Sequence, residues 1–127
     1  MGCSDICLDM GYDDTTEFYR EISRTARKAH TCCECRQIIA PRSTYWYATG
    51  KSDGDMWQAK TCATCYEIRR ALVCGSWILG QLWEEIENAI FPEWKKLSPI
   101  DCLAKIDSLA ARDKLRSAYA DYLGETT

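Results

Sequence analysis

Two pairs of cysteines carry the clearest chemical signal in this 127-residue sequence. Cys32 and Cys35 enclose two residues, Cys62 and Cys65 enclose two more, and 26 residues separate the pairs. Two thiolates three positions apart on a tight turn can both reach one metal ion at about 2.3 Å, and N–H groups of the turn stabilise the charge on sulfur. The spacing therefore predicts one structural Zn²⁺ ion held by these four cysteines.

Two further candidate ligands lie beside the first pair. Cys33 and Cys35 are separated by a single residue, which gives two thiolates a less favourable bite on one metal. His30 could replace a cysteine, but four cysteines already complete a closed structural set. We therefore predict that neither His30 nor Cys33 is a ligand. Arg36 follows the pair where a knuckle often needs the left-handed conformation, which costs a non-glycine residue about 1 kcal/mol.

The chain has nine cysteines, which is too many for the four-ligand site alone and an odd number for a disulfide framework. The sequence leaves a second metal site open, formed by Cys3, Cys7, Cys33 and Cys74. Free cysteines that pack as small apolar side chains are the favoured alternative. Without an export signal or a long apolar run, the sequence predicts a cytoplasmic protein that does not enter the membrane.

The first half of the chain predicts little regular structure before a hairpin. Residues 1–29 are expected to form an irregular lead-in, with at most one helical turn in 16–27, because their apolar periodicity is poor. Residues 43–61 are rich in aromatic and β-branched side chains and contain Gly54 at a turn. This pattern predicts a β-hairpin.

Helical spacing begins after the hairpin. Thr61 is a candidate N-cap for a helix over 61–73. Apolar residues on one stripe of 76–91 predict a second helix, which Pro92 is expected to end. A helix is predicted to start at 98–101, where Ser-Pro is followed by an acidic residue. Asp107 and Ser108 are expected to interrupt it before a last helix over 109–123, which Gly124 closes.

These elements predict an α+β fold in one domain. A knuckle, a hairpin and a helix that supplies the last two ligands make residues 30–73 a treble-clef-like zinc-binding module. Residues 74–127 extend it with C-terminal α-helices packed on the module, and 1–29 lead into it. A zinc ribbon, with its second knuckle on a strand, is the alternative, but the helical pattern after Thr61 favours the treble clef.

The composition argues against several function classes. The net charge is −3, and neither half of the chain has the basic excess that is typical of nucleic-acid-binding proteins. The single histidine is too few for an HNH nuclease, and the H-x-E motif of zinc deaminases is missing. Zinc held by four thiolates has no open coordination position for a substrate. We therefore expect a protein that is not an enzyme.

Several motifs occur in an order that is typical of one group of proteins: ARKAHTCCEC, YWY, KTCATCYEIR and LWEEI. Over residues 18–90 the sequence resembles small cysteine-rich zinc-binding proteins encoded by tailed bacteriophages and prophages. Arg36 is a departure, since glycine is frequent there. The resemblance implies a viral accessory protein in the bacterial host cell. Small phage proteins of this kind commonly bind a host protein, including bacterial defence systems.

The sequence thus predicts a non-enzymatic, zinc-stabilised protein-interaction module that modulates or inhibits a host or phage protein. Aromatic and basic residues on and before the hairpin are the candidate partner surface. These are Tyr45, Trp46, Tyr47, Trp57, Arg24, Arg27 and Lys28. The alternative is a nucleic-acid-binding zinc finger that uses the same basic and aromatic surface. The identity of the partner and the oligomeric state remain open.

Overall fold

The computed structural model describes residues 16–52, 54–73, 79–94 and 106–125. They form a mixed architecture in which strands come first and helices follow. The strands are β1 (Thr16–Thr25), β2 (His30–Thr31), β3 (Ile38–Ile39), β4 (Thr44–Ser52) and β5 (Asp55–Cys62). The helices are α1 (Ala63–Leu72), α2 (Leu82–Glu85), a π-helical segment (Ile86–Ile90), α3 (Phe91–Trp94) and α4 (Leu109–Glu125).

The central layer is an antiparallel sheet with the strand order β1–β4–β5. The predicted hairpin is confirmed as β4 and β5, which pair from Tyr45 opposite Cys62 to Ser52 opposite Asp55. Gly54 lies in the turn at a φ of 84°, a conformation that glycine adopts without steric cost. The two short strands β2 and β3 pair with each other and flank the first cysteine pair.

The prediction that residues 16–27 are irregular, or helical for one turn, is wrong. Residues 16–25 of this stretch form β1, nine of whose ten residues pair with β4. Its alternation is hidden in the sequence because Glu21 faces the layer where an apolar residue would be expected. That carboxylate forms an ion pair with Arg69 of α1, and both side chains are almost fully buried. Because Arg69 is 48 residues from Glu21, no local sequence pattern indicates that this glutamate belongs to a strand.

Helix α1 packs on the sheet through an apolar stripe that includes Ile68 and Leu72, which are both buried. The helix begins one residue later than predicted, because Cys62 rather than Thr61 is the N-cap. Thr61 is instead the buried penultimate residue of β5. The strand therefore runs directly into the helix, and no connecting loop separates the two cysteines of the second pair.

The second helical run continues through Pro92, which was expected to end it. The chain stays helical from Leu82 to Trp94. Its middle turn, Ile86–Ile90, is π-helical, and this wider turn comes immediately before the proline. A π-helical turn changes the hydrogen-bond register, so the missing N–H and the ring of Pro92 are accommodated. The predicted apolar stripe is confirmed from Leu82 onward, since Leu82, Ile86 and Ile90 are all buried, whereas residues 79–81, which were predicted to be helical, precede the helix.

Helix α4 closes the other side of the core. Its buried residues Ala111 and Leu115 join the same apolar cluster as α1 and α2. Tyr119 contacts Phe91 with 5.2 Å between ring centroids and meets Trp94 edge-on at 5.1 Å. The helix predicted to start near 98 lies outside the described residues up to 105. No described helix is long and apolar enough to cross a membrane.

The ion pair between Glu21 and Arg69 should stabilise the contact of α1 with β1. Glu21→Gln removes this counter-charge from the buried guanidinium of Arg69, so the free energy of unfolding should fall by about 3–5 kcal/mol. Arg69→Met should have a similar effect, and the double variant should lose less than the sum. Urea denaturation measures all three.

The exposed pair between Arg116 and Asp113 provides the control, since both side chains are about 60% exposed. Asp113→Asn should cost less than about 1 kcal/mol. If Glu21→Gln and Asp113→Asn lowered the free energy of unfolding equally, the buried ion pair between Glu21 and Arg69 would contribute no more to stability than the exposed one.

Candidate metal centre

Four cysteine sulfurs meet at one point between the sheet and the helices. The Sγ atoms of Cys32, Cys35, Cys62 and Cys65 all lie within 4.8 Å of one another. Cys32 and Cys65 are fully buried, whereas Cys35 and Cys62 are half-buried. The two predicted pairs therefore form a single cluster, as their spacing indicated.

The cluster has the dimensions of a metal site. Four ligands at about 2.3 Å from one tetrahedral ion lie about 3.8 Å apart. The Sγ atoms of Cys35 and Cys62 are 3.9 Å apart, which is close to that value and far beyond a disulfide bond. All cysteines in the described part of the chain are free thiols. These four side chains could hold a metal ion without rearrangement of the backbone.

The first pair is positioned by a tight turn between β2 and β3. The backbone N–H of Cys32 donates to the carbonyl of Gln37 at 2.9 Å, and the N–H of Arg36 donates to the carbonyl of Cys32 at 3.1 Å. Arg36 adopts a φ of 64°, so the predicted left-handed conformation is confirmed. The turn therefore presents both sulfurs on one side, at the cost of a strained arginine backbone.

Hydrogen-bond donors surround the sulfurs. The Sγ atom of Cys32 accepts from the backbone N–H groups of Glu34 at 3.4 Å and Cys62 at 3.3 Å. The indole N–H of Trp83 donates to the Sγ atom of Cys65 at 3.4 Å. Donors of this kind lower the free energy of thiolates and are typical of the surroundings of metal ligands.

Lys114 brings a positive charge from the C-terminal helix to the cluster. Its Nζ atom lies 3.1 Å from the Sγ atom of Cys35, 3.4 Å from that of Cys62 and 3.1 Å from the hydroxyl of Thr64. Burial lowers the pKa of Lys114, but hydrogen bonding to Cys35 and the negative charges of the other thiolates raise it more. The net shift is upward, so the amine stays protonated and offsets part of the thiolate charge.

The thiols of the cluster share their protons unequally. Hydrogen bonds from Cys32 and then Cys65 lower the pKa of Cys62 strongly. The pKa of Cys65 is raised because it donates to Cys32 and Cys62 and is buried. Binding of a metal ion displaces the remaining protons, because only thiolates are strong ligands.

Glu34, between the two cysteines of the first pair, links the knuckle to the second helical run. Its Oε1 atom accepts hydrogen bonds from the backbone N–H groups of Gly80 at 2.8 Å and Leu82 at 3.2 Å. Burial raises its pKa, and these two hydrogen bonds oppose the shift. The side chain thus satisfies N–H groups at the start of α2 that lack a partner within the helix.

The two neighbouring candidates lie outside the cluster, in agreement with the prediction. The thiol of Cys33 is 3.5 Å from the hydroxyl of Thr61 and is not grouped with the four sulfurs. The ring of His30 packs against Tyr45, with 5.2 Å between centroids. The other members of the alternative second metal site lie outside the described residues: Cys3, Cys7 and Cys74.

The aromatic residues of β4 proposed as a partner surface are largely engaged in internal contacts. Tyr45 is buried in the core. The ring of Trp46 stacks on Tyr66 of α1 at 3.8 Å, and the guanidinium of Arg24 covers the ring of Tyr47 at 3.9 Å. The structure thus brings Arg24 and Tyr47 together but separates them from Trp46, which lies on the opposite face of the sheet.

The other proposed partner residues are more accessible. Trp57 lies flat over Gly50, where an added Cβ would come within 2.2 Å of its ring, and it contacts the exposed Tyr19 at 5.8 Å. Arg27 and Lys28 are exposed in the connection between β1 and β2. These residues therefore form no single patch with the aromatic side chains of β4.

Lys114, Trp83 and Glu34 take part in the site and were missed from the sequence. A lysine on an amphipathic helix has the same sequence pattern as a solvated one. Lys114 is 79 residues from Cys35 along the chain, so no spacing relates them. The sequence contained one indication of the role of Glu34, because an acidic residue inside a knuckle is a candidate cap for a nearby helix. The helix that it caps is 48 residues away.

No family model, curated protein or solved structure matches the chain. The chemistry of the centre is therefore inferred from its own residues.

Cys35→Ser should abolish stoichiometric metal binding, because three thiolates with a weaker hydroxyl no longer complete the ligand set. Elemental analysis of the purified chain should then find far less than one metal ion per molecule. Since structural metal sites supply much of the folding free energy, this variant should also lose its cooperative thermal transition.

Cys33→Ser is the matched control, since it makes the same change two positions away in the same turn. It should keep about one metal ion per chain and the original thermal transition. Loss of the metal in both variants would mean that Cys33 also contributes to the ligand set.

Lys114→Met should weaken metal binding without removing a ligand. The loss of a charge that offsets the thiolates should lower the affinity by about 10- to 100-fold, as is usual for residues that contact metal ligands. Competition with a chromophoric chelator measures the affinity. Arg116→Met removes a charge two positions away on the exposed side of α4 and should leave it unchanged. The same affinity in both variants would assign Lys114 no role at the centre.

Proposed function

We propose that this chain is a non-enzymatic protein-interaction module whose fold is stabilised by one structural Zn²⁺ ion. The observation that carries the proposal is the closed set of four converging cysteine sulfurs. Knuckle, hairpin and helix follow one another in the order of a treble clef, with the last two ligands at the start of α1. We assign residues 30–73 to that class.

Zinc is the ion that fits this ligand set best. Four thiolates at tetrahedral spacing favour Zn²⁺ over the harder divalent ions, which prefer oxygen ligands. Four thiolates and one Zn²⁺ carry a net charge of −2, and Lys114 reduces it to −1. The half-buried side of the cluster, at Cys35 and Cys62, is the side on which the ammonium group lies.

The surroundings of the cluster support a structural role for the ion. All four coordination positions are taken by cysteine, so a substrate or a water molecule has no vacant position at the metal. The only histidine of the chain packs against Tyr45 and does not reach the cluster. If the metal only stabilises the fold, the function of the module must depend on its surface.

The partner that we propose is a protein of the bacterial host cell. This step depends on the resemblance to phage-encoded accessory proteins and on the exposed side chains around the module. Three of them are apolar and more than 60% exposed: Ile38, Met56 and Leu109. Within the host cytoplasm, binding to such a partner would modulate or inhibit it, and a defence system is one candidate.

The contacts of the aromatic residues weigh against nucleic-acid binding. Single strands need free ring faces on which bases can stack. Tyr45 is buried, Trp46 is covered by Tyr66, and Tyr47 is covered by Arg24. The net charge of −3 gives no general attraction to phosphate.

Affinity capture with the zinc-loaded chain tests the proposed function. A host lysate should yield one protein in stoichiometric amount, and the recovery should be abolished when Cys35→Ser replaces the wild-type chain. The matched Cys33→Ser variant should retain the partner. Recovery of nucleic acid alone, released by moderate salt, would favour the alternative function instead. Recovery of neither would contradict the proposed function.

A further inference from the structure

Among the residues that the structure describes, no strand lies beside the outer edge of β5. In an antiparallel pair, the N–H and C=O groups of successive residues point alternately toward the partner strand and away from it. The carbonyl of Lys60 points away from β4, because it accepts a hydrogen bond from the N–H of Cys33 at 2.8 Å. The backbone groups of Gln58 and Met56 therefore also point outward.

Within the described ranges, β5 pairs only with β4, and the outward groups of Gln58 and Met56 have no partner. Both side chains are exposed, that of Met56 to 63%. An exposed edge strand is a template for a further strand, and such addition is a common mode of peptide recognition.

A basic cleft adjoins this edge. It has a volume of about 240 Å³, and Arg36 and Lys60 line it together with Thr31, Gln58 and the knuckle around Cys33. In the part of the chain that the structure describes, no carboxylate lies within 4.0 Å of either cation. The cleft therefore offers two positive charges and a hydroxyl group to a ligand, which is the complement of a carboxylate.

We propose that the edge of β5 and the Arg36–Lys60 cleft together bind an extended acidic segment of the partner protein. The segment pairs with the backbone groups of Met56 and Gln58, and one of its carboxylate side chains enters the cleft. The proposal rests on the proposed function, since it names the surface through which the module recognises its partner.

A peptide fits this surface better than a nucleic acid does. The unpaired N–H and C=O groups of β5 repeat at the spacing of another strand, and a phosphate backbone cannot satisfy both kinds of group. None of the residues that line the cleft is aromatic, so bases have no ring there on which to stack. The cations supply specificity for acidic side chains, and the edge supplies the remaining hydrogen bonds.

Arg36→Gly removes the positive charge of the cleft without disturbing the fold. Glycine adopts the positive φ of this position more easily than arginine, so the variant should remain folded and should keep its metal. Arg42→Gly is the matched control, because Arg42 is also exposed, has a φ of 72° and does not line the cleft. The two variants make the same change in charge and relieve the same kind of backbone strain.

The probe is a random peptide library displayed on phage and selected on the zinc-loaded full-length chain. The recovered peptides should be rich in Asp and Glu, and one of them should be synthesised for titration. Its affinity should be about fivefold weaker for Arg36→Gly and unchanged for Arg42→Gly. Equal affinities for the two variants, a selection without acidic peptides, or no recovered peptide would each overturn the proposal.

Hydrogen exchange tests the pairing at the edge. The amide of Gln58 points outward, so its exchange should slow by about tenfold or more when the acidic peptide is bound. The amide of Ala59 points toward β4 and should change little. Unchanged exchange at Gln58 would exclude strand addition. Displacement of the peptide by a single-stranded oligonucleotide, with the same dependence on Arg36, would assign the cleft to phosphate instead.

The outcomes separate this proposal from the proposed function. If the host partner is still captured at full strength by Arg36→Gly, the module binds proteins through another surface and only the edge site is wrong. If the wild-type chain captures no partner, the proposed function itself fails.

Discussion

The convergence of four cysteine sulfurs, which become thiolates when a metal ion binds, is the constraint around which the described parts of the chain are arranged. Like charges this close repel strongly unless a cation lies among them and donors surround them. The donors come from distant parts of the sequence: the turn itself, the indole of Trp83 and the ammonium group of Lys114. The cluster that joins the sheet to α1 therefore also contacts α2, through Trp83, and α4, through Lys114. With a metal ion bound, the cluster could compensate for the small core that a short chain can bury.

Features with a local cause were predictable from the sequence. The four-cysteine cluster follows from two short spacings, because a tight turn and a first helical turn each place two sulfurs on one side. The hairpin follows from its composition, and the left-handed Arg36 follows from its place in the knuckle. The apolar stripe from Leu82 to Ile90 also needed only periodicity, but the π-helical turn and the continuation of the helix past Pro92 did not follow from it.

Features with a distant cause were not predictable. β1 has a glutamate on its covered face, and only the position of Arg69 makes that residue compatible with a strand. The start of α2 depends on Glu34, and the electrostatics of the centre depend on Lys114, which are both far from their partners in sequence. Burial also reverses what composition suggests about Tyr45, because an aromatic residue in a hairpin looks the same whether it faces solvent or the core. Each of these features depends on contacts between residues that are far apart in the sequence.

The separation of Lys114 from the ligands has a consequence for biosynthesis. During translation, all four cysteines leave the ribosome well before α4 does, since 79 residues separate Lys114 from Cys35. If the cluster holds a metal ion, the nascent chain could bind it while Cys35 and Cys62 are still open to solvent. When α4 folds against α1, the ammonium group closes that side. The order of synthesis would thus allow a metal ion to enter before α4 folds and to be retained afterwards.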